Sequence, residues 1–537
     1  MDFSLNTPII KYFNIPTELS ENASICDSSG KLAFYTNGCE IYNFDHQIIN
    51  NGDSLNPGIT YNDYCRYDGP SRYPTRSLEI ILPELNLNMF FLFHIGDNDN
   101  ARPAKIYQTK IHNFNTNEYS VIEKNYQIGA LKINEGIQAI RHGNGRDWWI
   151  LMHESETNRF IKYLLSPHEL KGPMIQVIGN QWTRQYWTAQ AAFSQNGLWY
   201  SIISEYNGVN LFRFDRCTGR LSKYLSLNHP PDDHRFYPRG VCFSPNSKYL
   251  YVSAGYSIYQ YDLTMPDIPN SYMLIDTIDN FILPYIFPTS FYQLVHGPDN
   301  KIYGNTSNET NVLHVIHHPD KKGKECGLKQ HDILLPSTYF QSMPIFPHFR
   351  VYDWEDSPCD TLGIDKLPLA QWRYTQDTND FLQFEFTDLT AYGVSEWFWN
   401  FGDVTSLDNR SNEQNPVHVF SQNGIYTVCL SVKNKNGADT LCKTLHIGTV
   451  EVRDETIDIV TDLFPNPAHD ILFLHVKEYI PEKMVLKLYD IQGMETIIQR
   501  IYEGSNSVDL KKLKAGIYLL EIVEKGRLIK MDKLIKM

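Results

Sequence analysis

The sequence predicts an all-β fold, a β-propeller of six or seven blades followed by two immunoglobulin-like β-sandwich domains. Three observations predict it. Aromatic residues are abundant, with 34 Tyr, 28 Phe and 9 Trp, and such side chains suit a pleated, half-buried surface. The 31 Gly and 28 Pro are spread between short strand-like stretches instead of gathering in low-complexity blocks. Finally, the first two thirds of the chain repeats one unit: a Gly/Asn/Asp-rich turn, an apolar strand, a second turn, and a strand ending in an aromatic alternation.

The repeats carry the first element, residues 1–352. They read SSGKLAFYTNGCEIYNFD from Ser28, LNMFFLFHIGDNDNARPAKIYQTKI from Leu87, GRDWWILMHESETNRFIKYLL from Gly145, NGLWYSIISEYNGVNLFRFD from Asn196, NSKYLYVSAGYSIYQYDL from Asn246 and DNKIYGNTSNETNVLHVIH from Asp299. Their starts lie about 50–60 residues apart, room for one four-stranded blade each. A lone hairpin pair cannot cover its own apolar face, so neighbouring blades must. Six blades are clear and a seventh stays open.

The tract 353–374, with Pro358, Pro368 and several acids, breaks the period and reads as a linker. Residues 375–449 alternate at sandwich spacing and form the second element; an acidic linker, 450–462, leads to the third, 463–537.

Composition bounds the function. A chain of 537 residues with 42% hydrophobic and 20% charged residues can bury several cores. Its net charge of −14 repels phosphate backbones and argues against nucleic-acid binding. The sign reverses only at the end, where Lys525, Arg527, Lys530, Lys533 and Lys536 face a single acid, Asp532. No transmembrane span is expected: Pro284 and Pro288 break the best apolar run, Phe281 to Val295. The start, MDFSLNTPII, shows no signal peptide, so the export signal is expected to be removed or missing from this chain.

Nine cysteines include no CxxC pair, which argues against a zinc ribbon. Cys429 and Cys442 flank the turn Asn434-Lys435-Asn436-Gly437. A turn centred between Lys435 and Asn436 sets the two thiols opposite each other on neighbouring strands, so either a cross-strand disulfide or two buried thiols fits.

In the middle element, Trp399 and Phe401 share one strand face, and Gly402 with Asp403 suits the tight turn that follows. Asn415-Pro416-Val417-His418-Val419-Phe420 and Gly424-Ile425-Tyr426-Thr427-Val428 look like an approach strand and a tyrosine corner. This set resembles the PKD domain, although Val404 and Phe420 replace the usual Gly and Tyr. The resemblance implies that His418 is structural.

The third element opens with Phe464-Pro465-Asn466-Pro467-Ala468 and Asp470. Leu488-Tyr489-Asp490-Ile491-Gln492-Gly493 and Leu513, Gly516, Ile517, Tyr518 follow in order. The three blocks resemble the type A sorting domain of the type IX secretion system. That resemblance implies recognition by outer-membrane secretion machinery and a secreted or cell-surface location. The terminal lysines, Lys533 and Lys536 among them, offer a surface for recognition, and equally a guarded edge strand.

The propeller resembles a family of Bacteroidetes surface proteins with a WD-like propeller ahead of PKD and sorting domains. The likeness rests on Ala23 to Asp27 with Gly30, Leu32 and Phe34-Tyr35-Thr36, on Gly145 to Trp149, on Phe243-Ser244-Pro245 with Tyr249-Leu250-Tyr251, and on Gly297-Pro298-Asp299 with Ile302-Tyr303. It implies no particular activity.

Propeller channels host chemistry in some enzymes, so catalytic sets matter. Arg141, His142, Arg146 and Asp147 beside Trp148 suit a sugar carboxylate, and suit a structural turn better. His314 and His318 share a strand face without a third metal ligand. The oxygen-rich Gly96 to Asn100 admits calcium but lacks the closing Glu of an EF-hand, and no other cofactor is expected. No G-x-S-x-G, HExxH or P-loop occurs. The expected protein is a non-catalytic surface molecule whose propeller binds a glycan or a protein. The alternatives are a polysaccharide hydrolase or lyase acting in the channel, and a passive surface-layer component.

Overall fold

The computed structural model describes residues 1–537 except 2, 4–7, 11–14, 16–21, 28–29, 66–78, 86–87, 98–102, 116–117, 135, 184–189, 232–235, 280, 282–288, 309, 340–342, 378–379, 448–459, 465–467, 477–483, 491–494, 503 and 525–526. The chain divides into two compact units, Met1–Leu445 and His446–Met537.

Among the described residues, six antiparallel meanders follow one another through the first unit, the first with three strands and the other five with four. Their first strands are Ala23–Cys26, Glu79–Pro83, Gln138–Arg141, Ala191–Phe193, Phe236–Phe243 and Leu294–His296. Side chains alternate across a strand, so each sheet sends apolar groups to both faces, and both faces are covered. Trp148 packs with Leu82 and Phe93 of the second sheet, while the next residue, Trp149, packs with Tyr200 and Phe212 of the fourth. Leu211 of the fourth meets Val241 and Tyr259 of the fifth, and Tyr251 of the fifth meets Ile302 and Ile316 of the sixth. Ala23 and Phe34 of the first meet Ile81 and Phe90 of the second. This chain of shared cores is the blade stacking that the repeat demanded. Between the sixth blade and the first, Ile345 N–H donates to the Asn22 carbonyl at 3.3 Å, and Phe3 packs edge-on against Tyr303.

After the sixth blade the chain runs beside the first strand of the third. His348 N–H donates to the Ala139 carbonyl at 2.8 Å, and His348 pairs in parallel with Ile140. The tract read as a linker is fastened to the propeller. Cys359 is disulfide-bonded to Cys217 in the fourth blade, Trp354 N–H donates to the Gly143 carbonyl at 2.6 Å, and Arg216 holds the Tyr352 carbonyl. A pairing across 142 residues leaves no trace in local spacing, which is why the sequence reads as loose there.

The PKD-like element begins with strand Trp372–Gln376, ahead of the expected boundary at 375. That strand pairs with Gln383–Asp388 and then Val417–Val419; the facing sheet holds Arg410–Ser411, Glu396–Asn400, Gly424–Asn434 and Gly437–Ile447. Trp372, Phe386, Trp399 and Phe401 fill the space between the sheets. The element belongs to the first unit and docks on the sixth blade and the linker. Arg373 Nε donates to the Asp299 carbonyl at 2.8 Å, and Lys435 pairs with Glu355 at 3.0 Å.

The second unit is a sandwich of two sheets, Val460–Phe464, Ile471–Val476 and Gly504–Asp509 against Glu495–Ile501, Met484–Tyr489, Gly516–Glu524 and Arg527–Lys536. Leu472, Leu474, Leu486, Leu488, Leu520 and Ile522 form its core. The last strand is pinned on its far side by Ala468, whose carbonyl accepts from Met537 N–H at 2.8 Å.

Candidate functional site

The Arg141–Trp148 cluster forms a closed turn in which His142, Asn144, Asp147 and Trp148 are buried. Asp147 is buried, with Arg146 Nε at 2.7 Å and Asn144 Nδ2 at 2.8 Å. His142 Nε2 lies 2.9 Å from the Cys217 carbonyl and its Nδ1 accepts from Asn144 N–H. Arg141 stacks over Trp148 and donates to the Arg146 carbonyl, and Trp148 Nε1 donates to the Pro83 carbonyl. Most of these bonds close the turn itself, and those of His142 and Trp148 tie it to the fourth and second blades, a geometry that accords with the structural reading of Arg141, His142, Arg146, Asp147 and Trp148.

His314 is likewise buried, its Nδ1 accepting from His331 N–H at 3.3 Å, and His318 lies beyond the end of the strand Thr310–Ile316. Asn98 to Asn100 of the oxygen-rich loop lie outside the described residues.

The PKD motif residues also serve structure. Trp399 is fully buried, and its Nε1 donates to the Glu413 carbonyl at 3.0 Å. Asp403 accepts from Ser421 N–H at 2.7 Å, from Ser421 Oγ at 2.6 Å and from Thr405 Oγ1 at 3.1 Å. Burial alone raises its pKa, but the Ser421 and Thr405 bonds outweigh that and hold it below its ordinary value. His418 stacks on Phe401 at 4.1 Å with Nε2 3.5 Å from Asp403, and burial lowers its pKa. Gly402 takes φ +71°, and a Cβ there would meet the Thr427 carbonyl at 2.6 Å, so only glycine fits. The Phe386 N–H bond to the Pro416 carbonyl seats the approach strand. Tyr426, two residues after Gly424, closes a corner by donating to the Gln422 carbonyl at 2.8 Å. Cys429 and Cys442 are disulfide-bonded with Cα atoms 4.0 Å apart.

In the second unit Tyr518 makes the same kind of corner to the Lys514 carbonyl at 3.0 Å. Tyr489 ends one strand with Asp490 after it, Leu513 packs on the core, and Gly516 opens the next strand. The Asp470 carbonyl accepts from Leu510 N–H. Lys533 is exposed, whereas Lys536 is buried beside the chain end. Pro465, Asn466, Pro467 and Gly493 lie outside the described residues.

Two recesses and one buried acid went unread in the sequence. The first is a cavity of about 400 Å³ in the propeller channel, lined by Gln138, Gln190, Gln293, His296, His348 and Arg350 together with apolar groups. Gln190 ties three blades together: its Nε2 donates to the Leu294 carbonyl and its Oε1 accepts from Val241 and Leu294 N–H. Burial, with Arg216 and Arg350 adding to it, pushes His348 down to about 3, and burial with Arg350 lowers His296, so both imidazoles are neutral. Among the described residues no carboxylate lines this cavity.

The second recess, about 490 Å³, lies at the rim between the fourth and fifth blades. Consecutive antiparallel strands place the turn Ser204–Gly208 and the connection after Leu227 at the same end of the sheets. Tyr206, Tyr272, His229 and Phe236 wall the groove, with Glu205, Ser226, Asn228 and Asn270 among them. Tyr206 is 44% exposed. His229 lies flat on Phe236 at 4.4 Å, Arg239 holds Glu205 at 3.3 Å, and Asn228 Nδ2 donates to Asn270 Oδ1 at 2.7 Å.

The buried acid is Glu79, 1% exposed on the first strand of the second blade and in register with His94. Neither of its oxygens has a partner among the described residues, and burial pushes its pKa up to about 8. An acid inside the apolar run LEIIL was the available signal.

Known proteins resemble parts of the chain. Residues 368–448 match the family described as PKD domain, and residues 462–537 match the secretion system C-terminal sorting domain. A 47-residue stretch is 45% identical to collagenase ColA of Bacillus cereus, covering 9% of this chain and 4% of that protein. Among solved structures, the PKD1 domain of Vibrio anguillarum Epp aligns at 22% identity over 16% of this chain and 95% of its own, with TM-score 0.14. A candidate 6-phosphogluconolactonase from Bacteroides uniformis aligns at 14% identity over 61% and 89%, with TM-score 0.36. At such scores these two likenesses carry nothing about activity. Among the described residues no helix is long and apolar enough to cross a membrane. The chain thus carries a PKD domain followed by a secretion system C-terminal sorting domain, which supports type IX export and a surface location.

Proposed function

We propose that the chain is a non-catalytic surface protein of a Bacteroidetes-type bacterium whose propeller binds glycan at the rim groove between the fourth and fifth blades. One observation carries this reading. The groove sets an exposed aromatic, Tyr206, beside the amides of Asn228 and Asn270 and the Glu205 carboxylate, a set that stacks on a sugar ring and grips its hydroxyls. The PKD domain serves as a spacer docked on the sixth blade, and the sorting domain engages the secretion machinery.

The test is a glycan array on the whole chain, with Tyr206→Ala alongside. Retention of one glycan class by the parent, reduced about two- to tenfold in the variant, supports the groove, since stacking of this kind contributes about 0.5–1.5 kcal/mol beyond area burial. Equal retention by both proteins sinks it.

A further inference from the structure

We infer that Asp353, Glu355 and Asp365 form a calcium site that clamps the tract between the propeller and the PKD domain. One ligand oxygen from each carboxylate lies within 4.8 Å of the others. Oxygens around a calcium ion sit about 2.3–2.6 Å from it, so two on opposite sides are about 4.6–5.2 Å apart, close to the spread seen here. Asp353 gives the independent sign. It is 2% exposed, and neither of its carboxylate oxygens has a hydrogen-bond partner among the described residues. A buried carboxylate without a partner is costly unless a cation or a proton satisfies it.

The surroundings favour a hard cation. The three ligands are all carboxylates, with no His or Cys to draw zinc. Glu355 is already oriented by Lys435 at 3.0 Å and Asn436 Nδ2 at 3.0 Å, so its carboxylate is held in place before any ion arrives. Arg216 is another nearby cation, but its bond goes to the Tyr352 carbonyl and its Nε has no partner among the described residues. Gly145, at φ +75°, lets the tract approach: a Cβ there would meet Asp353 Cβ at 3.0 Å. The three acids lie outside the PKD match, which starts at 368, so the site belongs to the join.

The experiment uses the whole chain, stripped with EDTA, then titrated with CaCl2 and, separately, MgCl2 by calorimetry and by thermal melting. The expected result is one calcium event with Kd of roughly 10⁻⁴–10⁻³ M, the class of extracellular modules, and a weaker magnesium response. At 10 mM calcium the Tm of the first unit should rise by roughly 1–4 °C. Asp353→Asn should abolish the event while leaving the stripped protein at least as stable as the parent, because it removes an unpartnered buried charge. Asp365→Asn, at an exposed position, should fold normally and weaken binding tenfold or more. The inference fails if the parent shows neither heat nor a Tm rise with calcium, or if both variants keep the parent's affinity.

Discussion

Replacing Cys217 and Cys359 by serine should destabilise the first unit more than removing either other disulfide. The bridge closes a loop of 142 residues, against 26 for Cys39–Cys65 and 13 for Cys429–Cys442. A cross-link acts chiefly by restricting the unfolded chain, and the restriction grows with the logarithm of loop length. The three bridges are then worth about 5, 3.5 and 3 kcal/mol in that order. The difference of about 2 kcal/mol between the longest and shortest loops is large enough to measure. The assay is guanidinium unfolding of each double-serine variant, followed by tryptophan fluorescence and scored on the transition of the domain that holds the bridge. A local readout accompanies it. Without the bridge the tract near Glu355 is held only by non-covalent contacts, among them Trp354 N–H to the Gly143 carbonyl, Arg216 to the Tyr352 carbonyl and Lys435 to Glu355, so limited proteolysis there should quicken. If the Cys217/Cys359 variant loses less stability than the Cys429/Cys442 variant, the loop-length reasoning is refuted, and the unfolded chain must keep the fourth blade and the linker together.

Trp399→Ala should cost the PKD domain about 3–5 kcal/mol, because the ring is fully buried between the sheets; a loss below 1 kcal/mol in denaturant unfolding would contradict that packing. Glu79 holds its proton in the fold up to about pH 8, against an ordinary 4.5. Its contribution is therefore fully present below 4.5 and is lost as pH rises towards 8, at up to about 1.4 kcal/mol per pH unit. Glu79→Gln should remove that loss and stabilise the propeller at pH 8; equal pH profiles for variant and parent would rule this out. His94 has the opposite sign. Burial pushes it down to about 3, so its contribution is present above its ordinary 6.5 and falls away as pH drops from there towards 3. Acid unfolding should come at lower pH in His94→Gln, and an unchanged midpoint counts against a neutral buried imidazole. Tyr206→Ala should leave melting unchanged while glycan retention drops, since that side chain is exposed and its fold role is small.

Much of this protein was written locally. Alternating strands, turn glycines and the 50–60-residue repeat follow from side-chain direction and backbone freedom over a few residues, and these predicted the blades and sandwiches. The PKD motif was legible because Trp399, Gly402 and Tyr426 each answer a local demand, an inward ring, a left-handed turn and a strand corner. One hairpin turn was enough to set Cys429 opposite Cys442, and the structure decides between a disulfide and two thiols in favour of the bond. Only the tertiary structure decided that Trp148 and Trp149 brace two different neighbouring blades, that Cys217 meets Cys359, and that the supposed linker is fastened to the propeller. The rim groove and the Asp353–Glu355–Asp365 cluster were also beyond reach. The groove joins blades whose turns lie tens of residues apart. The acid cluster depends on which carboxylate the fold leaves buried without a partner, and the desolvation that singles out Asp353 exists only once the blade closes over it.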